Sequence, residues 1–151
     1  MRNKEIPTLI KGGISVDDRG YVIFNNEFEF KNIKRFYILH NFSKDTIRAF
    51  HGHLKESKYV MAVYGSAIIA AAKLSDIKSP DKNEKVYRFV ISDKDPAICR
   101  IPAGYANGFK VLEDTSKILF FSTNTLDESL DDDYRYPFDY WGKEVWEVEN
   151  R

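Results

Sequence analysis

At 151 residues the chain is long enough for one domain with its own apolar core, and 23 basic against 23 acidic side chains leave it without net charge. That balance excludes a general electrostatic attraction to nucleic acid or to an anionic membrane surface. A single cysteine, Cys99, excludes an intrachain disulfide, and no apolar run reaches the roughly 18 residues of a membrane span.

The opening "MRNKEIPTLIKGG" has no apolar centre of the kind a secretory leader needs, so a cytoplasmic protein is expected. Short runs rich in β-branched and aromatic residues follow, each closed by a turn signal. They predict strands at Tyr21–Phe24, Arg35–His40, Thr46–His51 and Lys58–Val63, then at Ala67–Lys73, Val86–Ile91, Ile98–Ile101 and Lys117–Ser122. "YGS" (Tyr64–Ser66) reads as a tight hairpin turn between two of them. "SDIKSPDKNEK" is a polar loop, "SDKDP" a turn, and the acidic run "DESLDDD" (Asp127–Asp133) a solvated loop. Few windows carry the helical period, and many short strands at close spacing predict an all-β sandwich or barrel, one domain over residues 1–151. Cys99, between Ile98 and Arg100 on a predicted strand, reads as an inert core residue.

The densest chemistry lies in "IRAFHGHLKESKYVMAVYGSA", Ile47 to Ala67. Residues i and i+2 of a strand share a face, so His51 and His53 can enter one cavity. Arg48, His51, His53 and Lys58 fall within eleven residues, and burying such a cluster without a function would be costly. The next strand, "AIIAAAK", holds four alanines in seven positions. Such small side chains either leave space for a ligand or let another layer approach closely, and the cavity is the reading preferred. His40 stands apart and is expected to be structural or exposed.

The spacing His51, His53, Lys58, Gly65 resembles the first motif of cupins, and "PAGYAN" (Pro102, Gly104, Asn107) resembles the second. Metal-binding cupins place a glutamate at the position of Lys58 and a histidine at that of Asn107. An ammonium has no lone pair and repels a dication, and two imidazoles leave a first-row metal short of ligands. Glu56 is the one further residue that could supply a ligand. No metal and no other cofactor is therefore expected.

Among metal-free cupins the chain resembles the dTDP-4-dehydrorhamnose 3,5-epimerases and the dTDP-sugar 3,4-ketoisomerases. "DDRGY" supplies Asp17, Arg19, Gly20 and Tyr21; "HNFSKDTIRAFH" supplies Asn41, Ser43, Arg48 and His51; "PAGYANGF" runs from Pro102 to Phe109. "STN" and "DDDYRYPFDYW" match the later pieces, so the likeness spans roughly residues 17 to 141. Two positions depart from the epimerases: Phe120 stands where they carry a tyrosine acid, and Ile69 where they carry an aspartate. "RAFHGH" looks instead like the ketoisomerases, which use a pair of histidines.

The resemblance implies an all-β cupin (double-stranded β-helix, or jelly-roll) isomerase of a nucleotide-linked 4-keto-6-deoxy sugar, serving surface polysaccharide synthesis such as that of lipopolysaccharide. Such chemistry removes a proton beside a ketone, and a histidine near its ordinary pKa of about 6.5 suits that task. His51 is assigned as base, His53 as second base, acid or orienter, and Lys58 as partner of the enolate oxygen. Arg48 serves the enolate or a phosphate, and Arg19 is placed on the nucleotide diphosphate by the resemblance. Asn41, Asn107 and Tyr105 are expected to bind substrate, Asn107 being readable as a turn residue too. Tyr105, Tyr134 and Tyr136 are the candidate acids in place of Phe120. The rivals are a ketoisomerase, a non-catalytic nucleotide-sugar-binding cupin and, third, a metal-dependent cupin. A homodimer is expected, because sheet edges and surplus aromatics need cover, and the "YRYPFDYW" stripe (Tyr134–Trp141) either packs a dimer or covers the pocket, subunit packing being the reading preferred.

Overall fold

The computed structural model describes residues 5–151, so residues 1–4 of the expected domain lie outside it. The strands in chain order are β1 Thr8–Lys11, β2 Gly13–Asp17, β3 Gly20–Phe24, β4 Arg35–Leu39, β5 Ile47–His53 and β6 Lys58–Tyr64. They continue as β7 Ser66–Lys73, β8 Val86–Ser92, β9 Ala97–Ile101, β10 Tyr105–Val111, β11 Lys117–Ser122 and β12 Tyr134–Arg135. One short helix, α1 (Leu126–Leu130), and a 3₁₀ turn at Lys143–Trp146 complete the described elements. None of the described helices is long and apolar enough to cross a membrane.

Two five-stranded sheets, ordered β1-β9-β6-β11-β4 and β12-β5-β10-β7-β8, carry the fold, while β2 and β3 form a two-stranded sheet of their own. All strand pairs are antiparallel. This is the all-β cupin architecture. The core is Val60, Ile69, Ile91, Phe109, Val111, Ile118 and their neighbours, drawn from both sheets. Cys99 is fully buried in it, and burial pushes its thiol up to about 12.

Five expectations change. Tyr64–Ser66 is not a hairpin turn, because β6 and β7 belong to different sheets and the chain crosses between them there. Gly65 takes φ of 77°, and a Cβ on it would collide with Ser116, so a glycine is needed for both reasons. β10 has no counterpart among the predicted strands, since Asn107 and Gly108 are poor strand formers. It nevertheless lies at the centre of the second sheet. Gly108 sits at a slip in register against β5, where any side chain would strike Ala49.

The alanines of β7 do not line the cavity that holds His51. Ala67, Ile69 and Ala71 point into the core, whereas Ile68, Ala70 and Ala72 point outward beneath Phe50, Tyr136, Trp141, Val145 and Trp146. Small side chains there let two indole rings lie close against the sheet, so close packing is the correct reading. Part of the stripe assigned to subunit packing is thereby spent within the chain: Tyr136 and Trp141 are buried on their own sheet, while Phe138 stays 45% exposed. Nor is Asp127–Asp133 a solvated loop throughout. It contains α1, capped by the Thr125 side chain, and ends in two acidic residues turned inward.

Candidate active site

A cavity of about 450 Å³ opens between the two sheets. The second sheet contributes Arg48 and His51 from β5 and Asn107 from β10; the first contributes Tyr37 from β4, Lys58 from β6 and Phe120 from β11. Strand alternation accounts for most of the selection, because Tyr37 and Phe120 are cross-strand partners and Asn107 pairs with His51; Arg48, three residues from His51, joins the same wall through the register slip that pairs it with Phe109. The base candidate and the ammonium therefore reach the cavity from opposite sheets.

His51 is partly exposed, with Nδ1 3.5 Å from Asp133 Oδ1. The other oxygen of Asp133 accepts from Arg135 Nε at 3.0 Å. Burial lowers the His51 pKa, the Lys58 charge lowers it further, and Asp133 opposes both. The ring is thus neutral near pH 7, with Nδ1 on the side of Asp133. For Asp133 itself burial acts upward, but the Arg135 hydrogen bond and charge, with the two imidazoles, outweigh it and hold the carboxyl below its usual value.

Lys58 is buried, and burial lowers its pKa against the pull of Glu56. Asn107 Nδ2 donates to the His51 carbonyl at 3.2 Å, so the asparagine braces the strand that carries the base. Arg48 Nε donates to Asn41 Oδ1 at 2.6 Å, and Asn41 is buried outside the cavity wall. Asn41 orients Arg48 rather than lining the site.

Three assigned residues lie elsewhere. His53 shares the direction of His51 but is sealed one step along the strand, off the cavity wall. Its Nδ1 donates to the Asp132 carbonyl at 2.5 Å and lies 3.1 Å from Glu56 Oε2, while Nε2 is buried without a partner. Burial and the Lys58 charge both lower its pKa. Tyr105 packs in the core and donates to the Glu5 carbonyl at 3.4 Å, lining a different cavity at the strand ends. Arg19 projects into solvent at the β2–β3 turn, paired with Asp17, and does not reach His51 within one chain. The other candidate acids also lie off the wall of this cavity: Tyr136 donates to the Ile77 carbonyl at 2.6 Å, and Tyr134 packs in the outer aromatic cluster. His40 is exposed, 3.1 Å from the Ser116 carbonyl, as expected.

Two site residues escaped the sequence reading. Tyr37 stacks on Phe120 with ring centroids 5.1 Å apart and 7° between planes, and burial raises its pKa, so it holds its proton. Asp133 was hidden in an acidic run, although the run's end before "YRYP" marks where the chain re-enters the sheet at β12. Glu56 accepts from Ser122 and Ser129 and does not approach His51 as a metal ligand would. Among the described residues no three His, Cys, Asp or Glu side chains are grouped to hold a metal ion.

Solved structures share this fold. The RmlC epimerase of Mycobacterium tuberculosis aligns at 15% identity with a TM-score of 0.73, over 99% of this chain and 76% of that one. The dTDP-4-dehydrorhamnose 3,5-epimerase of Elizabethkingia anophelis gives 20% and 0.74, over 99% and 85%. The sugar 3,4-ketoisomerase QdtA of Thermoanaerobacterium thermosaccharolyticum, solved in complex with TDP, gives 20% and 0.65, over 95% and 96%. No curated protein matches the sequence. At such identities the structures establish the fold, and membership rests on the sequence itself. A family model described as dTDP-4-dehydrorhamnose 3,5-epimerase matches residues 7–137, which span both cavity walls from Tyr37 to Arg135, and the chain belongs to that family of isomerases.

Proposed function

We propose that the protein is a metal-independent epimerase of a nucleotide-linked 4-keto-6-deoxy sugar, acting as a single cupin domain in the cytoplasm. The observation that carries this reading is the cavity that sets His51, backed by Asp133, against Lys58 and Tyr37 on the facing sheet. His51 Nε2 takes the proton from the carbon beside the ketone, and the electron pair moves onto the ketone oxygen. The Lys58 ammonium stabilises that enolate oxygen, where preorganised charge contributes most. Tyr37, across the cavity from His51, returns a proton to the opposite face of the carbon, which inverts it. Solvent then takes the proton from the imidazolium and returns one to the phenolate. Arg48, with Arg135 at the rim, meets the anionic nucleotide portion. Family membership and neighbours solved with TDP support a thymidine nucleotide, and surface polysaccharide synthesis is the setting such substrates serve.

One observation favours a ketoisomerase as second reading: the unpartnered Nε2 of His53 offers another imidazole lone pair two residues from the base. Incubation with a dTDP-4-keto-6-deoxyhexose in heavy water separates the two. Deuterium at C3 or C5 with the ketone still at C4 marks an epimerase, whereas a ketone at C3 marks a ketoisomerase. Saturable nucleotide binding with neither change refutes catalysis.

Exposed sheet surface supports the expected homodimer. The β2–β3 sheet is unpartnered, with Val16 72%, Tyr21 64% and Val22 63% exposed, and the edge strand β4 exposes Phe36 at 66%. A second copy covering these faces removes them from water, and Arg19 then serves the partner's cavity.

A further inference from the structure

Beneath the cavity floor lies a charged layer that the chemistry above leaves unused. Glu56 stands at its centre, in the turn before β6, with its side chain fully buried. Oε1 accepts from Ser122 Oγ and, at 3.2 Å, from Ser129 Oγ, with Arg35 Nη2 3.6 Å away. Oε2 lies 3.1 Å from His53 Nδ1 but makes no hydrogen bond, because that N–H is directed to the Asp132 carbonyl. A buried carboxylate with one oxygen unsatisfied is costly unless positive charge close by stabilises it.

Arg35 is the nearest such charge, and Lys58, buried on the adjoining strand, adds a second. Lys58 follows Glu56 by two residues and pairs across the ladder with Ser122, the same serine that holds the carboxylate. Among the described residues it makes no ion pair of its own. The charged and titratable groups around it are Arg35 and Tyr37 of β4, Arg48, His51 and His53 of β5, and Asp133 and Arg135 at β12. Burial works to strip its proton and Arg35 works the same way; Glu56 is the strongest opposing influence and Asp133 a weaker one. Without Glu56 the floor would hold two buried cations, and only the lysine can relieve the repulsion by losing a proton.

We propose that Glu56 is a positioning residue acting through Lys58: its carboxylate is the buried counter-charge that keeps the Lys58 nitrogen an ammonium at neutral pH. The proposal rests on the reading of Lys58 as the partner of the enolate oxygen. A neutral amine there donates a hydrogen bond without the charge that lowers the barrier.

Glu56→Gln tests this, since the amide keeps an acceptor for Ser122 and Ser129 and removes the charge. Titration of isotope-labelled Lys58 by NMR, without substrate, reads the pair directly. The expected result is a fall of about one pH unit or more in the Lys58 midpoint. In kcat/KM the basic limb moves to lower pH by the same step, and activity recovers on its acid side. In a Lys58→Arg background Glu56→Gln leaves the limb unmoved, because a guanidinium keeps its proton. An unchanged Lys58 midpoint, a wild-type Lys58 already neutral at pH 7, or an equal loss of activity at every pH overturns the proposal. Should the glutamine variant not fold, Glu56→Asp replaces it, with a smaller fall expected and no fall overturning. If no sugar nucleotide is turned over, the functional reading fails while the Lys58 titration still decides the role of Glu56.

Discussion

Tyr37→Phe removes one oxygen from the cavity wall and little else. The ring lies flat on Phe120 at 5.1 Å, so the stack that fixes it survives the change. Its raised pKa keeps the phenol protonated well beyond neutrality, so the loss is uniform across about pH 6–9, below the ordinary tyrosine value of about 10. A positioned general acid contributes about 10²- to 10⁴-fold. We expect kcat to fall about 10²-fold, equivalent to ~2.7 kcal/mol of barrier, with KM little changed. Proton NMR in heavy water, with the sugar nucleotide as substrate, separates two rates: wash-in of deuterium at the carbon beside the ketone, and appearance of the inverted epimer. Because His51 removes the proton from the other sheet, wash-in persists in Tyr37→Phe while inversion collapses. Adding Phe120→Tyr to that variant places a phenol on the stacked neighbour and recovers part of the inversion. Inversion within threefold of wild type, or equal loss of both rates, refutes the role of Tyr37.

Other outcomes follow from the same geometry. His51 must be neutral to act, so activity is lost as pH falls through its lowered pKa, and the acid limb of kcat/KM lies below about 6.5. Asp133 works upward on that pKa; Asp133→Asn therefore moves the limb to still lower pH and lowers kcat about tenfold or more. Trp146→Ala empties a site only 1% exposed and breaks the indole hydrogen bond to the Phe138 carbonyl, a loss of about 3–5 kcal/mol readable by urea unfolding. Val22→Asp sets a charge on the exposed hairpin face and yields a monomer by light scattering, with turnover reduced; a dimer of full activity contradicts the proposed association.

Most strands were legible because alternation and turn residues are local signals, and β5, β6, β8 and β11 fall close to their predicted ranges. The reactive pair was legible for the same reason: His51 and Lys58 lie seven residues apart on consecutive strands. What stayed hidden depends on distant chain. β10 reads as a loop because the requirement for Gly108 comes from Ala49, on a neighbouring strand. Tyr37 looks like any aromatic on an alternating strand until Phe120 is placed beside it. Only its place at the end of the acidic run, before "YRYP", sets Asp133 apart; pairing of β12 with β5 turns it toward His51. His53 carries the mirror lesson, since a shared strand face was visible and the closing of that face by Asp132 and Glu56 was not.

Asp132 draws these threads together. Its carboxylate accepts from the backbone N–H groups of Leu54, Lys55 and Glu56 at 2.8, 2.8 and 3.2 Å, across more than seventy residues of sequence. The bend that seats both Glu56 and Lys58 is therefore held by a residue far downstream in the chain. During synthesis the early strands emerge with their reactive groups but without that clasp, and a nascent chain has nowhere to hold a reactive sugar. Competence arrives only once Asp132 has emerged, so the reactive strands stay silent until a residue far downstream of them joins the fold.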